Sequence, residues 1–458
     1  MSHAGGPKGR TSCEKLGRFA ESVRAERVSP ELVHQGARSF LDTFGITIAA
    51  REEPCSRIVM DYATAGRCGG PSTLWATGQR VQPEDAALAH GVMSHALDYD
   101  HVTAKPPRGH PAVVQWPALI ALGETVGATG AQLSAAFAVA YEFYMKLPHE
   151  RIFEHYARGH HSTSTLGVLA GAAACANLLG LDAARATAAV GIAVSHAGGV
   201  QANFGTMSKP IQPGNAAAAA IRCAQLAARG FTASLDAIDS RQGFAGAYGM
   251  GEGLSASLDG LGEEPLELVR SGFSVKRFPA CYSVHRPVQG VLDMIAERPI
   301  PPSEVEGVQV TVGPRDLKAL IHHRPTAGLE GKFSMEYAVA AALLDGKVGL
   351  RSFTDAAVQR PEAQALLRKV ESHEEGGEPL PLRATVVVKL RSGEERSIRT
   401  VDLRGSLKLP LTDAELEAKF RDCVDFSGLK LDVDGFLAAV WKWHDRPIQS
   451  ILEFVPKM

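Results

Sequence analysis

The chain has 458 residues, of which 45% are hydrophobic and 21% are charged, and its formal net charge is -2. This length exceeds what one hydrophobic core holds, so the sequence predicts two domains. The balanced charge, without a basic stretch, argues against nucleic-acid and membrane partners. The chain opens without a signal-peptide core, and its apolar runs are interrupted by polar residues, so we expect a cytoplasmic protein. Seven widely spaced cysteines without a CxxC pair favour reduced thiols.

The chain from about 30 to 260 has the pattern of helices. Alanine dominates them, and small residues let helix axes approach closely, so we expect a tightly packed bundle. Asn215 is predicted to cap the last of these helices. The helix-length segments are 83–98, 129–147, 166–180, 182–199 and 214–230.

The pattern changes near residue 264. A strand is predicted at 304–314, a helix at 332–349 that ends at Gly346, and a hairpin at 383–403 that turns at Ser392-Gly393. Residues 373–379 are expected to form an exposed loop. After Pro410 the pattern is helical again, and Thr412 and Glu415 have capping-box spacing.

These patterns predict a mainly α protein with a smaller α+β domain. The expected domains are a large all-helical bundle at 1–263, an inserted α+β domain at 264–404, and C-terminal helices at 405–458 that return to the bundle.

Four polar segments interrupt these elements, and the first is HALDYDH (95–101) with VTAKPPRGHP (102–111). Asp98 and Asp100 are predicted to leave a helix end and enter a loop, where site residues are often held. A capped helix terminus explains the same residues equally well. His95, Asp98 and His101 are all potential metal ligands, but their spacing does not place them on one helix face.

The second segment is RGHHSTSTLG (158–167), directly before an apolar helix. Ser and Thr at this place usually cap the helix. His160 and His161 then lie at the positive end of the helix dipole, which favours a neutral imidazole, as a general base requires. The alternative is a purely structural role for both histidines.

The third and fourth segments supply cations. In GTMSKPIQPGN (205–215), Pro210 favours an extended backbone at Lys209, which is predicted to lie in a short loop. There the lysine side chain could anchor an anion. SVKRFPACYSVHRP (274–287) places Lys276 and further polar groups at the join of the predicted domains, where ligands often bind. KFS (332–334) adds Lys332. A surface lysine and a basic linker are the alternative interpretations.

Together these segments provide a carboxylate, neutral histidines and several cations. Such a set suits proton transfer at the carbon beside a carboxylate of a small di- or tricarboxylic acid, because fixed cations stabilise the charge that develops there. Dehydration, epimerisation and decarboxylation all use this chemistry.

The same segments, in order and spacing, resemble the MmgE/PrpD family, which includes 2-methylcitrate dehydratase, cis-aconitate decarboxylase and iminodisuccinate epimerase. The matching stretches are HGVMSHALDYDH (90–101), RGHHSTSTLG (158–167), GTMSKPIQPGNAAAAA (205–220), VKRFPACYSVHRP (275–287) and KFSMEYAVAAALLDG (332–346). The resemblance implies a homodimer of two-domain subunits that needs no metal and no other cofactor.

The resemblance carries the family's catalytic positions to Asp98, His110, His161, Lys209 and Lys276. We expect His161 to transfer the proton with Asp98 and His110 as its partners, and both lysines to anchor carboxylates. The residues expected to bind substrate are His160, Thr163, Gln212, Arg277, Cys281, His285 and Lys332.

This chain departs from the family pattern after the lysine segment, where it has Gln212 and Asn215 in place of the common His and Arg. Cys281 stands where the decarboxylase has a site histidine. These departures concern the substrate, and the first hypothesis is therefore a 2-methylcitrate dehydratase-like lyase. An imino- or amino-dicarboxylate epimerase is the second and a cis-aconitate-type decarboxylase the third. A metal-dependent hydrolase and a non-catalytic carboxylate-binding helical protein are the alternatives from other classes.

Overall fold

The computed structural model describes residues 9–65, 68–103, 109–378 and 381–457. Lys105, Arg108 and Pro379 of the segments discussed above lie outside the described residues. No helix of the described part is long and apolar enough to cross a membrane. In the described part of the chain, the cysteines at 13, 55, 175, 223, 281 and 423 are free.

The fold is mainly α-helical, with a smaller α+β part. The helices are α1 Ser12–Ser22, α2 Pro30–Ala49, α3 Pro54–Thr64, α4 Pro83–Ala96, α5 Ala112–Val126, α6 Gly130–Lys146, α7 His149–Ala157, α8 Ser162–Leu178, α9 Ala183–Val194, α10 Ser208–Ala228, α11 Phe244–Ala247, α12 Leu254–Ser257, α13 Glu267–Arg270, α14 His285–Glu297, α15 Gly328–Gly331, α16 Met335–Asp345, α17 Asp355–Val358, α18 Pro361–Leu367, α19 Asp413–Ser427, α20 Val433–Trp441 and α21 Ile448–Leu452. The strands are β1 Cys68–Thr73, β2 Arg80–Val81, β3 Val102–Thr103, β4 Phe273–Ser274, β5 Val305–Val312, β6 Val370–Glu374, β7 Ala384–Leu390 and β8 Glu395–Thr400.

Two helix ends that the sequence predicts, the start of α19 and the end of α16, have the expected geometry. The backbone N–H of Glu415 donates to Thr412 Oγ1 at 3.3 Å, and Glu415 Oε2 accepts from the N–H of Thr412 at 2.7 Å, which completes the capping box of α19. Gly346 ends α16 in the left-handed conformation, with φ 64°.

Helices from both ends of the chain build the larger hydrophobic core. The ring centroids of Phe40 and Trp443 are 5.2 Å apart, and those of Phe44 and Phe436 are 4.6 Å apart. The tail therefore packs with the helical part of the chain. A second core lies within residues 278–398. The domain boundaries 1–263, 264–404 and 405–458 stay a prediction.

The bundle is tightly packed around α10. A Cβ atom added to Gly91 of α4 would lie 2.6 Å from Cα of Gly214 in α10, and one added to Gly171 of α8 would lie 2.8 Å from Cβ of Ala220. The close approach predicted from the small residues is confirmed. Because α4 and α10 are in backbone contact, the end of α4 lies beside the start of α10.

The α+β part contains a four-stranded mixed sheet of order β6-β5-β7-β8, against which α14 and α16 pack. The predicted strand is β5, and the predicted hairpin is β7 with β8, paired from Ala384↔Thr400 to Lys389↔Glu395. Strand β6 pairs parallel to β5 and was not predicted. The prediction of a loop at 373–379 is wrong for its first two residues, because His373 and Glu374 are the last residues of strand β6.

A short strand pair joins two of the polar segments. Val102 pairs with Ser274 and Thr103 with Phe273, in antiparallel β3 and β4. The loop that follows α4 is thereby fixed beside the segment that carries Lys276.

Candidate active site

A cavity of about 200 Å³ is lined by residues of both parts of the chain. All five predicted catalytic residues line it, together with two of the predicted substrate-binding residues. These are Asp98, His110, His161, Lys209, Lys276, Thr163 and Cys281. Side chains far apart in sequence therefore meet in one space.

The carboxylate of Asp98 is buried between two lysines. Lys209 forms an ion pair with Oδ1, and Lys276 Nζ lies 2.9 Å from Oδ2 and 2.7 Å from the Asp98 carbonyl oxygen. Burial raises the pKa of Asp98, but the two ammonium groups outweigh it and hold that pKa well below its usual range. Asp98 is thus a permanent anion in a group with net charge of plus one.

Lys209 lies in the first turn of α10. The prediction of an extended residue before Pro210 is wrong, and so is the prediction that Asn215 caps this helix, because Asn215 is exposed in its interior. Proline is tolerated in a first turn, since the N–H that it lacks has no partner there. The early helix start directs Lys209 toward Asp98.

His161 occupies the N-cap position of α8. Its Nδ1 lies 2.7 Å from Gln212 Oε1, while Gln212 Nε2 donates to the Val200 carbonyl at 3.0 Å. The amide orientation is therefore fixed by two partners, and Nδ1 of His161 carries the proton. Nε2 keeps its lone pair.

The surroundings of His161 also favour the neutral imidazole. Burial, followed by nearby His95 and Lys209, lowers the pKa of His161 well below its usual value. A neutral ring with a defined tautomer is what a general base requires.

The Ser/Thr run after His161 does not cap α8. No side-chain cap is formed by the N-cap residue, which is His161 itself. Ser164 Oγ donates to the Gln212 carbonyl at 2.9 Å, and Thr163 Oγ1 accepts from the backbone N–H of His110 at 3.2 Å. These hydroxyls connect three of the polar segments instead.

Asp100 is a buried carboxylate that faces two histidines. Its Oδ2 lies 2.6 Å from His110 Nδ1, although not aligned as a hydrogen bond, and its Oδ1 lies 3.1 Å from His95 Nδ1. Burial raises the pKa of Asp100, but His110 and His95 together hold it well below its usual range. We did not predict Asp100 as a site residue, although it lies in the HALDYDH segment.

The three possible metal ligands considered from the sequence, His95, Asp98 and His101, do not come together in the structure. Asp98 faces lysines, and His101 Nε2 lies 2.6 Å from Ser39 Oγ. Ligand atoms of His95, Asp100 and His110 do lie within 4.8 Å of one another. Both imidazoles already present Nδ1 to the carboxylate, the arrangement of a carboxylate that orients histidines.

Five predicted substrate-binding residues do not line the cavity, because other contacts hold their polar groups elsewhere. Gln212 contacts His161, as described above. His160 stacks on His155, Arg277 pairs with Gln289, His285 Nε2 lies 3.2 Å from the Ala280 carbonyl oxygen, and Lys332 Nζ donates to the Leu97 carbonyl at 2.9 Å. These five residues were chosen because they lie in or beside a polar segment of the sequence, and that position alone did not bring their side chains into the cavity.

Two aromatic rings of the cavity wall were not predicted. Lys209 Nζ lies 5.5 Å from the ring centroid of Phe204 and 4.9 Å from that of Phe333. These rings shield the ion pair from water and stabilise the ammonium group. Phe333 lies in the quoted KFS segment, whereas Tyr156, another lining residue, has no signal in the sequence.

Comparison with known families gives the class to which this fold and site belong. The MmgE/PrpD N-terminal domain matches residues 14–257, and the MmgE/PrpD C-terminal domain matches residues 278–445. The chain belongs to the MmgE/PrpD family, which confirms the predicted resemblance.

Among curated proteins, the chain is similar to cis-aconitate decarboxylases. It is 29% identical to that of Homo sapiens over 88% of this chain and 86% of the relative. It is 26% identical to that of Mus musculus over 96% and 92%, and 24% identical to that of Aspergillus terreus over 77% and 76%.

Proposed function

We propose that the chain is a lyase that acts on a small di- or tricarboxylic acid, at the carbon beside a carboxylate. One observation carries this proposal: the cavity combines the buried Lys209–Asp98–Lys276 group with a neutral His161 of defined tautomer. The family and the decarboxylase relatives support the same class of reaction. The proposed enzyme needs no cofactor.

The two lysines are proposed to anchor a substrate carboxylate. Each already balances part of the Asp98 charge, and the positive charge left over attracts an anion into the cavity. The low pKa of Asp98 favours the role of a fixed counter-ion over the proton-transfer role expected from the sequence.

The first candidate reaction is decarboxylation of a cis-aconitate-like acid, because the curated relatives carry that activity. The C–C bond to one carboxylate breaks, CO₂ leaves, and the electron pair remains on the substrate as an allylic carbanion conjugated with a second carboxylate. Lys209 and Lys276 stabilise that charge. His110, held beside Asp100, then gives a proton to carbon.

The second candidate is the dehydration of a 2-methylcitrate-like acid. His161 Nε2 removes the proton beside a carboxylate, and hydroxide leaves with a proton from His110, so that water is the product. Cys281 favours this candidate over the first, because the cavity has a thiol where the decarboxylase pattern has a histidine, a group that can transfer a proton. Burial raises the pKa of this thiol and so keeps it neutral. Epimerisation uses the same proton removal.

Proton NMR in D₂O, with and without EDTA, tests the proposal on cis-aconitate, 2-methylcitrate, citrate and iminodisuccinate. Loss of CO₂ supports the first candidate, a new vinyl signal with loss of the hydroxy acid supports the second, and deuterium uptake without a new skeleton indicates epimerisation. Loss of activity in EDTA would indicate the metal-dependent alternative. Tight binding without any exchange would indicate a non-catalytic binding protein.

Variants separate site residues from their neighbours. We expect His161→Gln and Lys209→Ala to lose turnover while they remain folded. His160→Gln is the matched control, since His160 is adjacent but does not line the cavity. Equal activity in His161→Gln and His160→Gln would contradict the assignment. The homodimer stays a prediction, which sedimentation equilibrium tests.

A further inference from the structure

The outer end of the cavity is lined by cationic side chains, of which only Arg286 lies in one of the polar segments of the sequence analysis, 274–287. Arg286, Arg315, Lys318 and Arg383 line it and are here called the cationic rim. All four belong to the α+β part, whereas Asp98, His161 and Lys209 belong to the helical part. Arg315 and Lys318 are exposed, whereas Lys209 and Lys276 are buried, so the cavity has positive groups at its open end and at its buried end.

Two members of the rim have their own partners. Arg383 pairs with Glu375, and Arg286 Nε donates to the Val401 carbonyl at 2.9 Å. Among the described residues, Arg315 and Lys318 form no ion pair with a carboxylate within 4 Å. Arg315 instead lies over the ring of Phe153, with 5.6 Å between its guanidinium carbon and the ring centroid.

Arg315 also has an unusual backbone conformation. In the described part of the chain, the non-glycine residues with positive φ are Asp98, at 51°, and Arg315, at 71°. Both line this cavity. A side chain held at positive φ costs free energy, and such residues cluster at sites where their position is needed.

The charge of the rim remains positive when its acidic neighbours are counted. Asp316 lines the cavity, and burial raises its pKa to about 6. Glu374 lies near Asp316, and Glu375 pairs with Arg383. With all three carboxylates ionised, the four cations of the rim leave an excess of one positive charge. A carboxylate entering this end would thus be attracted.

We propose that Arg315 and Lys318, supported by Arg286, form a second anion subsite that binds the carboxylate of the substrate farthest from the reacting carbon. This inference rests on the proposed function, because it makes the substrate an acid with carboxylates at both ends. Lys209 and Lys276 bind the carboxylate at the reacting end. The rim then selects tricarboxylates over shorter dicarboxylates.

Binding calorimetry with two inert acids tests the subsite without turnover. Tricarballylate (propane-1,2,3-tricarboxylate) and methylsuccinate (propane-1,2-dicarboxylate) differ by one carboxylate. Each is titrated at constant ionic strength into the wild-type protein, Arg315→Gln and Lys318→Gln. The matched controls are Arg351→Gln and Lys389→Gln, whose side chains are exposed and lie outside the cavity.

We expect each rim substitution to weaken tricarballylate binding by about 10-fold, the loss of one charge-assisted contact, and to leave methylsuccinate binding unchanged. Equal weakening of both acids, weakening by the control variants, or no weakening would overturn the subsite. So would a wild-type protein that binds neither acid. If the rim effect is found but no acid is turned over, the subsite stands and the lyase proposal fails.

Discussion

Replacing Gln212 by Glu tests whether the amide keeps His161 neutral. The change places a negative charge where Oε1 now lies 2.7 Å from Nδ1. At this distance a unit charge attracts an imidazolium by about 6 kcal/mol at an effective dielectric constant of about 20. Burying the new carboxylate costs several kcal/mol, so we expect the pKa of His161 to rise by about 1–3 units.

The expected sign follows from the role of a base. Only the neutral imidazole accepts a proton, so a higher pKa keeps His161 protonated up to a higher pH. The acidic limb of kcat/KM should therefore move to higher pH by about 1–3 units. The pH profile is measured with 2-methylcitrate or iminodisuccinate, the acids of the NMR panel whose proposed reactions use His161 as the base. Nitrogen-15 NMR of labelled histidine reports the tautomer directly.

Asn215→Glu is the matched control for this prediction, since Asn215 is exposed on the same helix. It adds the same charge without contact to His161. If the acidic limb of Gln212→Glu coincides with that of Asn215→Glu, the proposed control of His161 by Gln212 is refuted.

Three further substitutions test the site and the packing. Asp100→Asn should lower kcat by about 10²–10⁴-fold with little change in KM, because His110 loses its orienting charge. Burial lowers the pKa of Lys332 to about 8, so between pH 8 and 10.5 only the unfolded chain binds the proton. The free energy of unfolding of the wild type should therefore rise by about 3 kcal/mol over this range, and Lys332→Met should remove that rise. Gly91→Ala should reduce the free energy of unfolding by about 1–3 kcal/mol, since its Cβ would overlap Gly214.

These predictions are checked by steady-state kinetics for the first and by urea unfolding for the other two. A raised KM with unchanged kcat in Asp100→Asn would contradict an orienting role. Parallel pH dependence of stability in Lys332→Met and the wild type would contradict a neutral buried lysine. Gly349→Ala is the packing control, because no atom lies within 4 Å of its added Cβ.

Helix ends and the hairpin could be predicted because their signals are local. Thr412 with Glu415, and Gly346, act within one turn of their own helix. The start of α10 could not be predicted, because Pro210 disfavours a helical Lys209 locally and the contact with α4 overrides that preference. Strand β6 was missed since its sequence, VESHE, is polar and depends on β5 for pairing.

The candidate site could be predicted only where the family resemblance supplied positions. Asp98, His110, His161, Lys209 and Lys276 line one cavity, but their partners depend on the tertiary fold. The sequence places Gln212 fifty-one residues from His161, and only the fold makes it the partner of that ring. Arg315 has no motif at all, and its position follows from the loop after β5.

The packing of Phe436 and Trp443 against Phe40 and Phe44 has a consequence for biosynthesis. On a ribosome, α2 emerges almost 400 residues before the rings that cover its apolar face. During that interval Trp75 and Trp116 already contact the rings of α2, but the part of the face that the tail covers stays exposed. The α+β part between α2 and the tail has a core of its own. The slow, late event is then closure of the helical bundle by its tail, and a chaperone that protects α2 until then should raise the yield of folded protein.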